Sequence, residues 1–314
     1  MKSGSRREFM AAAGRYALYG FGVAPLFSAV ISGCEGMEEA ATIGASLGQA
    51  TGVITDQQAE SIIKSGQAVA RGFEDITPEQ EYYIGRAVGA SLLDQYPPYE
   101  NRDANLYVNT MGQALAQVSD LPETFNGYHF LILDTNEINA FAAPGGLIFV
   151  SRGMLRCCRT EDAVAAVLAH EIGHYQKKHI IKSMIISIFH LGVMFYLLSI
   201  FITSGELAQA FYMETPSSYA GLVFFGMLYT PVEMILSIFM QIFSRKNEYE
   251  ADRFAAESID NPEEMVNSLK KLSADNLSNL TPHPFYVFLH YSHPPVLQRI
   301  QAIRTLEVGS LGDR

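Results

Sequence analysis

The chain has 314 residues, of which 48% are hydrophobic and 18% are charged, and its formal net charge is -11. This length is enough for one large domain or two ordinary domains with a buried core. An acidic chain without a basic stripe lacks the clustered cations that bind a nucleic-acid backbone, so we expect no nucleic-acid partner. Three cysteines, none of them in a C-x-x-C pair, exclude a disulfide scaffold, a zinc ribbon and thioredoxin-like redox chemistry.

The first 33 residues are typical of an export signal. Residues 5–10, SRREFM, match a twin-arginine signature, and a weakly apolar stretch over 16–30 leads to Ile31-Ser32-Gly33-Cys34, which resembles a bacterial lipobox. We therefore predict a signal peptide over 1–33 and a mature chain anchored in a membrane by lipidated Cys34. This chain would face the periplasm or another extracytoplasmic space. The alternative is an uncleaved N-terminal membrane anchor.

A tether of small residues is predicted over 34–70, followed by a folded domain over 71–314. The sequence Thr77-Pro78-Glu79-Gln80 combines a Thr N-cap, a proline at the first helical position and a glutamine three residues after the cap, which predicts a helix that extends to Gln95. A second amphipathic helix is predicted over about 104–118. Two β-rich runs, 128–134 and 146–151, lie on either side of a glycine-rich turn.

These elements predict a mainly α-helical fold with a small β-sheet, an α+β domain. The segment before the second β-rich run contains Asn139, Ala140 and Phe141. In one interpretation these residues form a strand edge that holds the backbone of a peptide substrate by β-augmentation. In the other they belong to a plain core hairpin.

The next predicted helix carries the chemistry. Its apolar run over 163–168 leads into His170-Glu171-Ile172-Gly173-His174, an H-E-x-x-H motif. On a helix this spacing places two imidazoles one turn apart on one face, where both can bind a single zinc ion. Glu171 is then placed to take a proton from the water at the metal and to deliver it to the leaving amine. The motif predicts one catalytic Zn²⁺ per chain.

A third ligand is expected in residues 244–252, SRKNEYEAD. Glu248 and Asp252 are four residues apart and share a helix face. Glu248 would complete a His₂Glu set, while Asp252 would accept the free ring N–H of a ligand histidine. Glu250 points elsewhere on a helical wheel. The alternative interpretation of this run is a solvated charged helix.

An apolar hairpin is predicted over 180–243, between the two ligand segments. Residues 183–204 contain no charge over 22 residues, enough for a helix of roughly 33 Å. The second stretch, 220–243, is interrupted by Pro231 and Glu233. If both stretches cross a membrane, His174 and Glu248 return to the same side. The alternatives are a hairpin that dips into the bilayer, or internal packing around the cleft, which export of an already folded protein favours.

From about Thr77 onward the chain resembles a family of zinc metallopeptidases. This family includes the CaaX prenyl proteases, the bacterial heat-shock membrane protease and periplasmic relatives that degrade faulty outer-membrane proteins. The first part, 77–174, looks like the periplasmic members, and 174–305 looks more like the prenyl proteases. The motifs that carry the resemblance are Asn139-Ala140-Phe141, Pro144-Gly145-Gly146, His170-Glu171-Ile172-Gly173-His174, Ser244-Arg245, Glu248, Asp252, and His290-Tyr291-Ser292-His293-Pro294-Pro295 with Arg299-Ile300.

The resemblance implies a gluzincin-type metallopeptidase fold with Glu171 as general base. It also implies that His293 assists at the metal or the oxyanion and that Arg299 belongs to the supporting polar network. From the residues alone, His293 is only a histidine before two prolines, and no role follows for His179. The zinc ligands that the resemblance implies are His170, His174 and Glu248.

The sequence therefore predicts a zinc metalloendopeptidase that hydrolyses peptide bonds of exported or membrane proteins, with polypeptides and the lipid bilayer as its partners. A CaaX-type prenyl-protein protease is one alternative, which the second half of the chain favours and export disfavours. Another is a non-catalytic, peptide-binding or chaperone-like lipoprotein with a structural zinc, which an intact Glu171 disfavours. A third is a membrane transport or scaffold protein, which only the apolar stretches suggest and which leaves the His₂Glu set unexplained. Cys157 and Cys158 receive no function, and the oligomeric state does not follow from the sequence.

Overall fold

A computed structural model describes residues 76–312 continuously, together with some helical residues between 42 and 67. The predicted signal peptide and Cys34 lie outside the described residues, as does most of the predicted tether. The chain divides into two compact units. We call residues 76–183 and 241–314 the sheet unit, and residues 184–240 the hairpin segment of the other unit.

The described chain is mostly helical, as predicted, with one small sheet. The helices from residue 76 onward are α1 (Pro78–Gln95), α2 (Arg102–Gln117), α3 (Arg152–Cys157), α4 (Glu161–Gln176), α5 (His179–Thr203), α6 (Gly205–Ala210), α7 (Ser218–Ser258), α8 (Pro262–Asp275), α9 (Pro284–His290) and α10 (Val296–Gly312). Helix α1 begins at the predicted cap. The backbone N–H of Gln80 donates to Thr77 Oγ1 at 3.2 Å, and that of Thr77 donates to Gln80 Oε1 at 2.9 Å. This capping box satisfies two backbone donors that the first turn would otherwise leave free.

The sheet has three strands, β1 (His129–Leu133), β2 (Ala140–Ala143) and β3 (Leu147–Ser151), in the order β1-β3-β2. Strand β1 runs parallel to β3, and β2 runs antiparallel to β3 with Ala140 opposite Val150. The segment predicted as a turn therefore contains a strand of its own, and only the residues after it turn the chain. Gly145 and Gly146 have φ angles of 78° and 80°, a left-handed conformation that glycine adopts without strain. Strand β2 lies at the edge of this sheet.

Helix α4 lies in the core of the sheet unit. Leu168 and Ile172 are fully buried in a cluster that includes side chains from β1, β3, α2, α8 and α10. Full burial of one such side chain stabilises a fold by about 1.5–3 kcal/mol. At Gly173, a Cβ atom would lie only 3.0 Å from the Cα atom of Ala251. The missing side chain therefore lets the backbones of α4 and α7 approach closely.

The hairpin segment is built from the apolar parts of α5 and α7. Both helices are long and apolar enough to cross a membrane, with mean hydropathies of 2.3 and 1.8 in their most apolar windows. Helix α7 continues through Pro231. Nε2 of His190, on α5, lies 3.0 Å from the Tyr229 hydroxyl and 2.9 Å from Glu233 Oε2, both on α7. The two helices thus share a polar contact inside an apolar stretch.

Candidate metal centre

Three side chains that the sequence proposes as ligands converge in the sheet unit. His170 and His174 come from consecutive turns of α4, and their Nε2 atoms lie 3.1 Å apart. The carboxylate of Glu248, on α7, lies 3.4 Å from Nε2 of His174 and 3.9 Å from Nε2 of His170. A tetrahedral zinc ion with bonds of about 2.0–2.2 Å separates neighbouring ligand atoms by about 3.3–3.6 Å. The donor set and its spacing fit a zinc ion.

A buried ionic network supports two of these ligands. Asp252 Oδ1 lies 3.0 Å from Nδ1 of His170. Arg299 binds Asp252 through both carboxylate oxygens, with Nε donating at 2.7 Å and Nη2 at 2.5 Å. The Nη1 atom of Arg299 also lies 3.0 Å from Glu248 Oε2. The Arg299 guanidinium therefore contacts Glu248, a proposed ligand, and Asp252, which contacts the proposed ligand His170.

The charges in this network favour ionised carboxylates. Burial by itself raises the pKa of Asp252, but the Arg299 guanidinium and the contact with His170 outweigh burial and hold that pKa below its usual value. Burial likewise opposes ionisation of Glu248, but its contacts with His174 and His293 and the nearby Arg299 guanidinium outweigh burial, so the pKa of Glu248 is also lowered. Both groups therefore carry the negative charge that a cationic metal requires.

His293 lies at the cleft, between α9 and α10. Its Nδ1 lies 2.9 Å from Glu248 Oε1, and its side chain is 65% exposed. Arg245 holds the segment that precedes it, because Nη1 of Arg245 donates to the carbonyl oxygens of Tyr291 at 2.5 Å and Val287 at 3.3 Å. Within the Ser244-Arg245 motif, Arg245 therefore anchors the chain that carries His293.

The structure also assigns contacts to His179, which the sequence left without a role. His179 is 3% exposed, and its Nδ1 lies 3.1 Å from Nδ1 of His174. Its Nε2 lies 3.1 Å from Oε2 of Glu250. Burial lowers the pKa of His179 to about 4 against the opposing effect of Glu250, so the imidazole is neutral at pH 7. Glu250 faces away from the ligand set, as the helical wheel predicts, and contacts His179 instead.

The proposed ligands open into a cleft of about 770 Å³ within the sheet unit. Glu171 lines this cleft next to His170. The edge strand β2 forms one wall, which places the predicted substrate-binding residues Asn139, Ala140 and Phe141 along the cleft. The segment is both an edge strand and one half of a hairpin with β3, so the structure agrees with both interpretations and substrate binding there stays a prediction. Met154, Met265 and Leu269 contribute apolar side chains to the lining of the cleft.

Comparisons with known proteins agree with this architecture. The chain is 35% identical over 152 residues to the CAAX prenyl protease 1 homolog of Homo sapiens. The matched region covers 48% of this chain and 32% of the relative. It is 32% identical over 157 residues to CAAX prenyl protease 1 of Saccharomyces cerevisiae. That matched region covers 45% of this chain and 34% of the relative. The chain therefore spans about a third of the length of these curated relatives.

A solved structure supports the fold. The structure of S. mikatae Ste24p matches with a TM-score of 0.53 and 22% sequence identity, over 76% of this chain and 61% of that chain. The model of peptidase family M48 matches residues 102–307, more than half of the chain. The chain belongs to peptidase family M48.

Proposed function

We propose that this protein is a zinc-dependent metalloendopeptidase that hydrolyses peptide bonds of exported or membrane proteins, with one Zn²⁺ per chain. The observation that carries the proposal is the convergence of His170, His174 and Glu248 beside Glu171 in a cleft bordered by an edge strand. Membership in peptidase family M48 supports this assignment. A purely structural zinc would not need Glu171 on the cleft wall.

Each residue has a proposed task in peptide hydrolysis. A zinc ion held by the three ligands would polarise the peptide carbonyl and lower the pKa of water. Glu171 accepts a proton from the attacking water and passes it to the leaving amine nitrogen. His293 donates a hydrogen bond to the carbonyl oxygen as negative charge develops there. Asp252 and Arg299 hold His170 and Glu248 in place through the contacts described above.

The substrate binds, in this proposal, as an additional strand. Strand β2 pairs with β3 on one side, and residues 139–142 line the cleft. An extended peptide that runs along Asn139, Ala140 and Phe141 would be bound mainly through its main chain. It would pair with the backbone of Ala140 and Ala142, because alternate residues of an antiparallel strand face away from the partner strand and the backbone N–H and C=O of Asn139 already bond to Ser151. Such binding tolerates many side chains, which suits a protease that acts on diverse unfolded or damaged proteins.

The proposed site of action is a membrane. The most apolar windows of α5 and α7 are only 6% and 11% buried, whereas helices packed in the core of a soluble domain are mostly buried. A bilayer core needs about 20 apolar residues per helix, and both helices exceed this length. We therefore propose that residues 183–243 enter the bilayer as a hairpin, and that lipidated Cys34 provides a second anchor facing the periplasm or another extracytoplasmic space.

CaaX-type cleavage of prenylated proteins is the second candidate function. The observation in its favour is that the curated relatives named above are CAAX prenyl proteases. The chain spans only about a third of their length, so their substrate does not transfer directly. The export signal proposed for residues 1–33 opposes this candidate, because prenylated substrates are not expected outside a bacterial cytoplasm.

The deciding experiment uses the full chain purified in detergent. Zinc content is measured by elemental analysis, and cleavage is followed by mass spectrometry with casein and with a farnesylated CaaX peptide. Glu171→Gln is compared with Glu257→Gln, a matched change at an exposed position of α7. We expect one zinc per chain in all three proteins, with casein cleavage reduced at least about 100-fold only in Glu171→Gln.

The other outcomes separate the alternatives. Cleavage of the farnesylated peptide without cleavage of casein would favour the CaaX-type function. Zinc binding without cleavage of either substrate would favour a peptide-binding protein with a structural zinc.

A further inference from the structure

The two histidines of the H-E-x-x-H motif differ in what lies behind them. His170 contacts the carboxylate of Asp252 directly, whereas His174 contacts a second histidine, His179, which contacts Glu250 in turn. We infer that His179 and Glu250 are positioning residues that hold His174 in the tautomer and ring orientation needed to bind zinc. This inference rests on the zinc site of the proposed function.

The proton positions along the series of contacts from His174 through His179 to Glu250 follow by elimination. Nε2 of His174 faces the other proposed ligands, so it must be unprotonated to bind a metal. The proton of neutral His174 is then on Nδ1, which lies 3.1 Å from Nδ1 of His179. His179 accepts this hydrogen bond only if its own proton is on Nε2, which lies 3.1 Å from Glu250 Oε2. One arrangement therefore satisfies every nitrogen.

The surroundings of His179 favour this arrangement over a loose contact. The side chain is almost fully buried, so bulk water has little access to its ring nitrogens. Glu250 is held from its other side by Lys246, whose Nζ lies 3.7 Å from Oε1. Lys178, with a φ angle of 54°, turns the chain between α4 and α5 and so places His179 against His174. The turn at Lys178 therefore determines how the His179 imidazole is oriented.

Helix α7 thus supplies a proposed ligand and the terminal carboxylates behind both histidines. Glu248 belongs to the ligand set, Asp252 lies behind His170, and Glu250 lies behind His174 through His179. Outer partners of this kind fix the tautomer of a metal-binding histidine, and their loss lowers metal affinity or activity by about 10–100-fold. We expect zinc affinity to fall by the same factor when the contacts of His174 through His179 to Glu250 are removed.

The test compares paired variants of the full chain in detergent. His179→Leu removes the acceptor for His174, whereas His179→Asn keeps an oxygen acceptor close to the position of Nδ1. Glu250→Leu removes the terminal acceptor, and Glu250→Gln keeps one. Glu257→Gln is the control on the same helix. Zinc dissociation constants are measured by competition with a chelator, and the tautomer of His174 is read in the zinc-free proteins by ¹⁵N-histidine NMR.

We expect both leucine variants to weaken zinc binding by about 10–100-fold and both amide variants to weaken it by less than about threefold. The zinc-free His179→Leu variant should also show an increased Nε2–H population of His174. Zinc affinities within twofold of wild type, with an unchanged Nδ1–H tautomer, would overturn the inference. If His179→Leu does not fold, the Glu250 pair decides, because that side chain is partly exposed.

The result is distinguishable from failure of the proposed function. A wild-type protein that binds zinc but cleaves nothing refutes the proposed activity and leaves the affinity comparison intact. A wild-type protein that binds no zinc refutes the metal site, and the tautomer measurement alone then supports or overturns the hydrogen-bond chain.

Discussion

The close approach of α4 and α7 at Gly173 makes a quantitative prediction for Gly173→Ala. The new Cβ atom would lie 3.0 Å from Cα and 3.3 Å from the carbonyl oxygen of Ala251. Ordinary van der Waals contact begins at about 3.5 Å, so the two helices must separate by roughly half an ångström. Gly173 lies directly before His174, and Ala251 lies three residues after Glu248. The separation therefore widens the ligand set.

Two opposing contributions determine the stability of this variant. Overpacking of a filled interior destabilises a fold by about 1–3 kcal/mol, while replacing a helical glycine with alanine stabilises it by about 0.8–1 kcal/mol. Gly226→Ala in α7 is a suitable control, because a Cβ atom there contacts nothing within 4 Å. We expect denaturant midpoints to rise in the control and to stay level or fall in Gly173→Ala.

Zinc affinity is the more direct measure. Chelator competition should show at least a tenfold weaker zinc complex for Gly173→Ala and an unchanged complex for the Gly226→Ala control. If Gly173→Ala gained stability as the control does and kept wild-type zinc affinity, the reasoning from helix approach to ligand spacing would be refuted.

Three further predictions concern the charges and thiols. Arg299→Leu leaves Asp252 buried without its cation, which should lower the free energy of unfolding by about 3–5 kcal/mol. Arg304→Leu, at an exposed ion pair, should lower it by less than about 1 kcal/mol. Urea melts of the zinc-free proteins measure both changes. Because the folded-state pKa of Asp252 is lowered, its contribution to stability is present above its unfolded pKa of about 3.9 and is lost as pH falls through the folded pKa. Urea midpoints between pH 5 and pH 2 should therefore fall for wild type, and should fall less for Arg299→Leu. Burial raises the pKa of Cys158 to about 12 and also raises that of Cys157. Peptide mapping should therefore find both thiols unalkylated by iodoacetamide at pH 8 until the protein is unfolded. Rapid labelling of the native protein would contradict this prediction.

Much of the metal centre could be predicted because helix geometry is local. The four-residue spacing of His170 and His174 determines that both face one side of α4, whatever surrounds the helix. The same spacing places Glu248 and Asp252 on one face of α7. A general base adjacent to the first histidine needs no tertiary information either.

The contacts of His179 could not be predicted, because they depend on a turn. A lysine in the left-handed conformation at position 178 has no clear sequence signal, and without that turn His179 would point elsewhere. Strand β2 was only partly predictable for a related reason. Its sequence, AFAA, lacks the alternation of polar and apolar residues that indicates a strand, and its pairing with β3 defines it.

The contact between His190 and Glu233 has a consequence for how the proposed hairpin is assembled in a membrane. A charged side chain at the centre of a single apolar helix raises the free energy of insertion by about 2.5–3.5 kcal/mol on insertion scales. Within the hairpin, the carboxylate of Glu233 and the imidazole of His190 meet at 2.9 Å, so each supplies the other's polar partner. In the proposed hairpin the second helix would therefore enter the bilayer more favourably once the first is beside it, and insertion as a pair would cost less free energy than insertion of either helix alone.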